Sequence, residues 1–455
     1  MNFFSRSILV LGLGRSGLAA ARLLQRAGAI VSVVDSGTSK GLQERADLLR
    51  SEGMTVHLGA AAENDTAIYD YAILSPGIEA TTPLVSNVTR KGTPLLGEIE
   101  LAFSLCKAPV IAITGSNGKT TTTELTVRAL QGAGARAIAC GNIGLPFSEA
   151  VLHGDAVDFF VVEVSSFQLE TTKHFHPKVA VWLNLTPNHL DRYPSLDEYR
   201  AAKLRIFRCQ TDEDIAVIPK DFDLNKVKLQ AGPITFSAVT PMGDFSFEND
   251  QLCYRKKPFL NIHETCLRGL HNVENLMAAF AVGKAFHLPL EAMADAIKDY
   301  TPPAHRCEFV VRHHDIEWIN DSKATTLDAM EKAITGVKAD RPILLIAGGK
   351  NKGSSFLPML PLIQERVKEA ILIGEMSDCI AADWKTVSCR KASSMEEAVT
   401  LAGALVTAGD TILLSPGTSS YDMFNDYQER GDAFKHAVFN YVNSLVPSTP
   451  EYLNS

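Results

Sequence analysis

The chain has 455 residues, which is room for about three domains of ordinary size. Its hydrophobic content of 46% and charged content of 21% are typical of globular proteins with substantial cores. The net charge of −8 argues against a nucleic-acid partner. The eight cysteines form no C-x-x-C pair and no apolar run reaches 18 residues, so we expect a cytoplasmic protein with free thiols and no membrane span.

The first segment opens with a dinucleotide-type fingerprint. Residues 12–17 (GLGRSG) follow an apolar run and precede a helical pattern and a strand over residues 30–34, which ends at Asp35. Such a loop cradles any diphosphate, so it does not by itself indicate NAD. A further strand over residues 71–74 ends in a turn of Ser75, Pro76 and Gly77. We predict a Rossmann-like domain over residues 1–97.

A second glycine loop follows the strand at residues 110–113. Strand, glycine loop, lysine, threonine and helix in this order are typical of phosphate binding, because backbone N–H groups and a helix N-terminus meet the phosphate oxygens. Lys119 is expected to reach the terminal phosphates and the Thr120 hydroxyl to bind Mg²⁺. The loop departs from G-x-x-x-x-G-K-[ST], since Ile113 stands where the first glycine is expected. The predicted phosphate-binding residues are Gly115, Ser116, Asn117, Gly118, Lys119, Thr120 and Thr121.

Three further side chains of the middle segment are candidates for the chemistry. Glu163 interrupts a buried strand, where it either accepts from backbone amides or binds a metal; burial of a bare carboxylate favours the metal. His189 is either a hydrogen-bonded structural histidine or a ligand, although Mg²⁺ prefers oxygen. Lys203, in a helix that Ser195 opens, would ordinarily be solvated or ion-paired.

Later polar positions also have two interpretations. Asn272 and Asn275 lie three apart at a helix start, as caps or as adenine or ribose contacts. Arg306 follows a Pro-Pro linker at residues 302–303 and pairs with a surface acid or meets nucleotide when domains close. Residues 320–325 (NDSKAT) are a solvated turn or a substrate contact.

Strands at residues 343–347, 370–373 and 411–414 predict a third α/β unit. We predict domains over residues 98–302 and 303–455.

Together these motifs resemble the Mur ligase family, ATP-dependent amide-forming enzymes of peptidoglycan precursor synthesis. The resemblance extends over nearly the whole chain, and the shortened phosphate loop is the family's own form. It implies a three-domain α/β fold: a Rossmann-like UDP-binding domain, a central P-loop-type ATPase domain with a parallel sheet, and a C-terminal Rossmann-like α/β domain. The motifs that carry it are residues 114–121 (TGSNGKTT), 141–144 (GNIG), 163–170 (EVSSFQLE), 188–193 (NHLDRY), 271–272 (HN), 305–306 (HR) and 320–325 (NDSKAT).

The resemblance also implies an activity. The residues match best the members that add D-glutamate to UDP-N-acetylmuramoyl-L-alanine through an acyl phosphate, with ATP and two Mg²⁺ ions. Addition of L-alanine to UDP-N-acetylmuramate is the nearest alternative. An NAD-dependent oxidoreductase and a nucleotide-binding regulator without catalysis are alternatives from other classes. Neither a nucleic acid nor a membrane is expected as a partner.

The roles that the resemblance assigns to individual residues follow the family's motifs. Lys203 matches a lysine that is carbamylated, and its carbamate with His189 would hold the second Mg²⁺. Thr120 and Glu163 would hold the first, and Asn142 would contact phosphates or the peptidyl substrate. Nucleotide contacts are expected at Asn272, Arg306, Asp321 and Lys323, UDP contacts at Arg15, Ser16, Asp35, Ser36, Ser75, Pro76 and Gly77, and D-glutamate contacts at Thr325, Lys352, Ser420, Tyr421 and, on position alone, Tyr427.

Overall fold

The computed structural model describes residues 1–63, 67–76, 78, 82–186, 192–224, 227–267, 269–301, 304–337, 341–350 and 355–445. The chain divides into two compact units. The larger unit comprises Met1–Thr265 and Val273–Tyr300, and the smaller comprises Cys266–Asn272 and Thr301–Ser455. Within the described residues, no helix combines the length and the apolar character that crossing a bilayer requires.

The larger unit begins with a five-stranded parallel sheet. Its strands are β1 (Ser7–Leu11), β2 (Ile30–Asp35), β3 (Thr55–Leu58), β4 (Tyr71–Leu74) and β5 (Leu95–Gly97). They lie in the order β3-β2-β1-β4-β5, so the order reverses beside β1. The loop after β1 therefore lies at a switch point, where doubly wound sheets bind ligands.

A second, nine-stranded sheet completes the larger unit. Its strands are β6 (Val110–Thr114), β7 (Ala137–Gly141), β8 (Phe159–Glu163), β9 (Val179–Trp182), β10 (Ile215–Pro219), β11 (Gly232–Ser237), β12 (Phe245–Glu248), β13 (Gln251–Tyr254) and β14 (Lys257–Asn261). The order is β14-β13-β12-β11-β10-β9-β6-β8-β7, parallel from β7 to β12 and antiparallel at β13 and β14. The central strand β6 is buried on both faces and feeds the phosphate loop.

The smaller unit has a six-stranded sheet with a core on each face. Its strands are β15 (Glu308–His313), β16 (Ile316–Asn320), β17 (Ile343–Gly348), β18 (Val367–Ile373), β19 (Cys389–Lys391) and β20 (Thr411–Leu414). The order is β15-β16-β20-β17-β18-β19, and only the edge pair β15–β16 is antiparallel. The carboxyl ends of β16, β17 and β20 therefore meet at one edge.

Helices flank these sheets. In the larger unit they are α1 (Arg15–Arg26), α2 (Lys40–Ser51), α3 (Ala60–Glu63), α4 (Pro83–Arg90), α5 (Glu98–Leu105), α6 (Lys119–Gly132), α7 (Phe147–His153), α8 (Ser166–Glu170), α9 (Leu196–Leu204) and α11 (Leu290–Lys298), with α10 (Leu270–Ala285) where the chain passes between the units. The smaller unit adds α12 (Leu327–Gly336), α13 (Leu360–Arg366), α14 (Ser377–Asp383), α15 (Met395–Leu405) and α16 (Tyr427–Ser444).

The α/β class with parallel sheets predicted from the sequence is confirmed, with local differences. The strand expected over residues 179–185 ends at Trp182, because Leu183 and the residues after it wrap around the phosphate loop. Residues 221–257, expected to be antiparallel strands and loops, instead extend the parallel sheet through β11 and β12 before the chain reverses. The proposed linker at residues 302–303 lies outside the described residues.

Candidate functional site

The phosphate loop connects β6 to α6. Gly118 caps α6 with φ +79°, and a Cβ there would lie 2.4 Å from the Asn275 side-chain oxygen, so both conformation and space require glycine. The Lys119 ammonium donates to the carbonyls of Gly115 and Ser116, each at 2.9 Å. Its positive charge therefore lies over the loop, beside the N-terminus of α6, where an anionic ligand is favoured.

Glu163, at the end of β8, lies beside this loop with 2% of its surface exposed. One carboxylate oxygen accepts from the Thr120 hydroxyl at 2.8 Å, and the other accepts from the Asn142 amide at 2.9 Å. Its partners are therefore these two side chains, and a buried carboxylate with a neighbouring hydroxyl is a set of oxygen donors that fits Mg²⁺. No group of three or more His, Cys, Asp and Glu side chains suitable for a metal occurs in the described residues.

Lys203 is not a solvated lysine. It lies on α9 with 1% of its surface exposed, and its ammonium donates to the Gly115 carbonyl at 2.8 Å. Burial, assisted by the nearby charge of Lys119 and opposed by Glu163, lowers the pKa of Lys203 from 10.5 to about 6. A largely neutral amine is thus held against the phosphate loop. His189, the other predicted ligand, lies outside the described residues.

Two asparagines that support the phosphate loop were not assigned this role from the sequence. The Asn184 side chain accepts from the Asn117 backbone N–H at 2.9 Å and donates to its carbonyl at 3.2 Å. The Asn275 side chain accepts from the Thr122 hydroxyl at 3.1 Å. The position of Asn184 in a polar run directly after a buried strand is a sequence signal that could have indicated its role. Asn275 offers no such signal, because its partners are distant in sequence.

The glycine fingerprint after β1 folds as predicted, but Asp35 has a local role. Its two carboxylate oxygens accept from the backbone N–H groups of Leu13 at 2.7 Å and Gly37 at 2.8 Å. Asp35 therefore stabilises the loop itself. Of the other predicted UDP contacts, Arg15 and Ser36 are exposed, Ser16 and Pro76 are half-buried, Ser75 is buried and donates to the Gly12 carbonyl at 3.3 Å, and Gly77 lies outside the described residues.

Ser75 and Pro76 also line a small cavity of the larger unit that sequence reasoning missed. Phe167, Gln168 and Arg192 line it too, and the Arg192 guanidinium lies 4.1 Å from the centre of the Phe167 ring. Phe167 and Gln168 belong to the motif at residues 163–170, which was noted without a role for them. Glu98 and Glu170 line the cavity as well, and Glu170 pairs with Arg192 at 2.9 Å, so the charge of this arginine is already balanced there.

In the smaller unit, Asn272 and Arg306 line a cavity of about 410 Å³. The Arg306 Nε is buried with no hydrogen-bond partner in the described part of the chain, which makes it available to a ligand. Asp321 is buried at the end of β16 and accepts from the Cys307 N–H at 3.1 Å and the Ser415 hydroxyl at 3.0 Å. Burial raises the pKa of Asp321 from 3.8 to about 7. The Lys323 ammonium lies 5.1 Å from the centre of the Tyr427 ring.

Three of the residues predicted to hold the amino acid, Thr325, Ser420 and Tyr421, follow the carboxyl ends of β16 and β20. Thr325 is half-buried after β16. Ser420 is buried and Tyr421 is 66% exposed, at the end of the segment of residues 415–421, which we name the Ser415 loop. Tyr427 begins α16 and is half-buried. Lys352 lies outside the described residues.

The chain is similar to known proteins along most of its length. Three family models match in chain order: the Mur ligase MurD-like N-terminal domain at residues 6–97, the Mur ligase middle domain at 113–283 and the Mur ligase glutamate ligase domain at 305–417. A UDP-N-acetylmuramoylalanine–D-glutamate ligase from Alkaliphilus metalliredigens is 38% identical, over 96% of this chain and 99% of the relative. One of the same name from Acidobacterium capsulatum is 39% identical, over 96% and 97%.

Solved structures support the fold. A UDP-N-acetylmuramate–alanine ligase from Thermotoga maritima matches 96% of this chain and 100% of its own with a TM-score of 0.60 at 18% identity. A MurF from Acinetobacter baumannii matches 95% and 93% with a TM-score of 0.62 at 15% identity. At such identities these similarities concern the fold alone.

Proposed function

The chain belongs to the Mur ligase family, and we propose that it joins D-glutamate to UDP-N-acetylmuramoyl-L-alanine at the expense of ATP, in peptidoglycan precursor synthesis. The observation that carries this proposal is the near full-length similarity to ligases of that name. The matched glutamate ligase domain and the phosphate loop at residues 114–121 support it. We assign the amino acid to the sheet of the smaller unit.

The reaction follows from the chemistry of a carboxylate, which is a poor electrophile. Transfer of the γ-phosphoryl group of ATP to the alanine carboxylate makes an acyl phosphate. The D-glutamate amine then attacks the acyl carbon, and the tetrahedral adduct expels phosphate. In this scheme Lys119 and the backbone N–H groups of the phosphate loop hold the phosphates in line, so the protein contributes positioning and electrostatic stabilisation.

Thr120 and Glu163 fit the first Mg²⁺ site, since their oxygens lie together beside the phosphate loop. The ion would supply positive charge to the phosphate oxygens. We assign the second site to His189 and a carbamylated Lys203. Carbamylation needs a neutral amine, and the burial of Lys203 beside Lys119 favours that form. Addition of CO₂ to the amine, with loss of one proton, turns a donor into an oxygen ligand.

We assign the remaining roles by position in the fold. Residues 1–97 would bind the UDP moiety through Arg15, Ser16, Asp35, Ser36, Ser75, Pro76 and Gly77. Residues 98–302 would bind ATP through the phosphate loop, with Asn142 at the phosphates. Residues 303–455 would bind the amino acid through Thr325, Lys352, Ser420, Tyr421 and Tyr427. The residues that would contact the nucleotide are Asn272, Arg306, Asp321 and Lys323. Cytoplasm is the compartment we propose, as ATP and eight unpaired cysteines suit it.

Phosphate release tests the proposal. The purified protein should release phosphate from ATP only when both UDP-N-acetylmuramoyl-L-alanine and D-glutamate are present, and Lys119→Ala should abolish that release. Release with UDP-N-acetylmuramate and L-alanine would establish the alternative ligase. Tight NADH binding without ATP turnover would overturn the ligase assignment altogether.

A further inference from the structure

Arg430 is a buried arginine that the scheme above does not use. It lies in α16 with 1% of its surface exposed. The guanidinium donates to the Thr418 carbonyl from both terminal nitrogens, each at 3.1 Å, and to the Ser322 hydroxyl at 3.0 Å and carbonyl at 2.8 Å. All these contacts go to neutral oxygens of two loops, after β16 and after β20.

The charge of Arg430 has no direct carboxylate partner. Among the described residues no Asp or Glu oxygen lies within ion-pair distance of its guanidinium. Burial lowers the pKa of Arg430 to about 10, while Asp422 and Asp321 at longer range oppose the shift. Arg430 is therefore a cation at neutral pH, buried beneath the Ser415 loop and available to attract an anion.

In the Ser415 loop the N–H groups of Ser415 and Gly417 donate to the carbonyls of Ile346 and Ala324, whereas those of the second half of the loop have no such partner in the described ranges. The Pro416 carbonyl accepts from the Gly348 N–H and the Thr418 carbonyl from Arg430. The Ser419 carbonyl accepts from the Lys350 N–H, and the Ser420 carbonyl accepts from the N–H groups of Met423 and Phe424. The N–H groups of residues 418–421 donate to no residue that the structure describes. The Ser419 hydroxyl is also buried, at 4% exposure of the residue, and has no partner there. A row of free donors of this kind is a cradle for an anion.

The guanidinium decides where one of these donors faces. In a planar trans peptide the carbonyl and the following N–H point in opposite directions. By holding the Thr418 carbonyl on its own side, Arg430 turns the Ser419 N–H to the other side. Its bonds to Ser322 tie the same unit to the polar segment after β16 that contains Thr325.

We propose that Arg430 is a positioning and specificity-determining residue for the incoming dicarboxylic amino acid. Its planar, forked guanidinium group orients the Thr418–Ser419 peptide so that the N–H groups of residues 418–421 and the Ser419 hydroxyl bind a carboxylate. Its buried positive charge favours a dianionic amino acid over a monoanionic one. This inference rests on the proposed function, in which D-glutamate occupies the Ser415 loop.

The test measures Michaelis constants in Arg430→Met, which keeps the volume and removes the fork and the charge. We expect the KM for D-glutamate to rise by about tenfold or more, because charge-assisted hydrogen bonds are lost. The KM values for ATP and the UDP substrate should stay within about twofold of the wild-type values. The amount of acyl phosphate that hydroxylamine captures in the absence of D-glutamate should also stay within about twofold of the wild-type amount. Arg430→Lys, which keeps the charge but not the fork, should lie between.

Arg390→Met is the matched control, because Arg390 is an exposed arginine of the same unit paired with Glu369; it should leave every constant unchanged. An unchanged KM for D-glutamate in Arg430→Met would overturn the inference. So would a fall in captured hydroxamate as large as the rise in that KM, because acyl phosphate formation would then be impaired to the same extent. If Arg430→Met is unfolded at the assay temperature, Arg430→Lys decides alone, by a selective rise in the KM for D-glutamate. Wild-type enzyme that uses no D-glutamate would instead refute the proposed function, and this inference with it.

Discussion

Lys203 gives the sharpest quantitative prediction, because its burial changes the chemistry of an amine. With a pKa lowered to about 6, roughly nine-tenths of the side chain is neutral near pH 7, against roughly one part in three thousand for an ordinary lysine. Carbamylation by CO₂ requires that neutral form. Burial beside the phosphate loop therefore enriches the reactive, neutral form of this amine far beyond that of an ordinary lysine.

The assay compares ligase activity in CO₂-depleted and bicarbonate-supplemented buffer. We expect depletion to lower the activity of the wild-type enzyme reversibly and ¹³C-labelled CO₂ to give one carbamate resonance that Lys203→Ala lacks. Lys203→Ala should lose about a hundredfold or more of kcat, and short carboxylic acids should restore part of it by replacing the carbamate oxygens.

Lys107→Ala is the control, since Lys107 is an exposed lysine of the same unit; it should keep its activity and its response to CO₂. Full activity of Lys203→Ala would refute the carbamate role. Activity that is lost but never rescued by a carboxylate, in a folded variant, would indicate that the uncarbamylated amine itself is needed.

Three other substitutions test separate parts of the structure. Gly118→Ala should raise the KM for ATP about tenfold or more, because a Cβ meets Asn275 and costs backbone strain, whereas Gly134→Ala, also at positive φ but in open space, should not; equal effects would refute the steric reasoning. Burial makes Asp321 bind its proton more tightly in the folded than in the unfolded protein, so its contribution to stability falls as the pH rises from about 4 to about 7, by up to about 4 kcal/mol; Asp321→Asn should remove this contribution in urea titrations at a series of pH values, and an unchanged pH dependence would contradict the assignment. Glu100→Gln should cost about 3 kcal/mol of unfolding free energy, because the buried carboxylate accepts from three consecutive backbone N–H groups; a loss below about 0.5 kcal/mol would be inconsistent with those bonds.

Much of the fold could be predicted from local pattern. The strands at residues 71–74 and 411–414 have the predicted bounds, because each is an apolar run closed by a Ser-Pro-Gly turn. Both glycine loops were also recognisable, since the conformations they need leave few residue choices. Sheet extension by β11 and β12 was not predictable, because nothing in a short polar strand specifies whether its neighbour runs parallel.

The site was predictable only where its residues are adjacent in sequence. Lys203 looks like an ordinary helix lysine, yet it is buried and its hydrogen-bond partner, the Gly115 carbonyl, is 88 residues away. Arg430 looks like a surface arginine of an amphipathic helix, yet its partners are 12 and 108 residues distant. Asp35 was recognised by spacing, but its bonds to the backbone of its own loop needed the tertiary structure.

The choice of acceptor amino acid is the central claim, and one measurement addresses it most directly. Phosphate release should be followed with UDP-N-acetylmuramoyl-L-alanine, ATP and Mg²⁺ across amino acids of both configurations. We predict turnover with D-glutamate and none above background with L-glutamate, L-alanine or D-alanine. Turnover with L-alanine on UDP-N-acetylmuramate, and none with D-glutamate, would contradict the account.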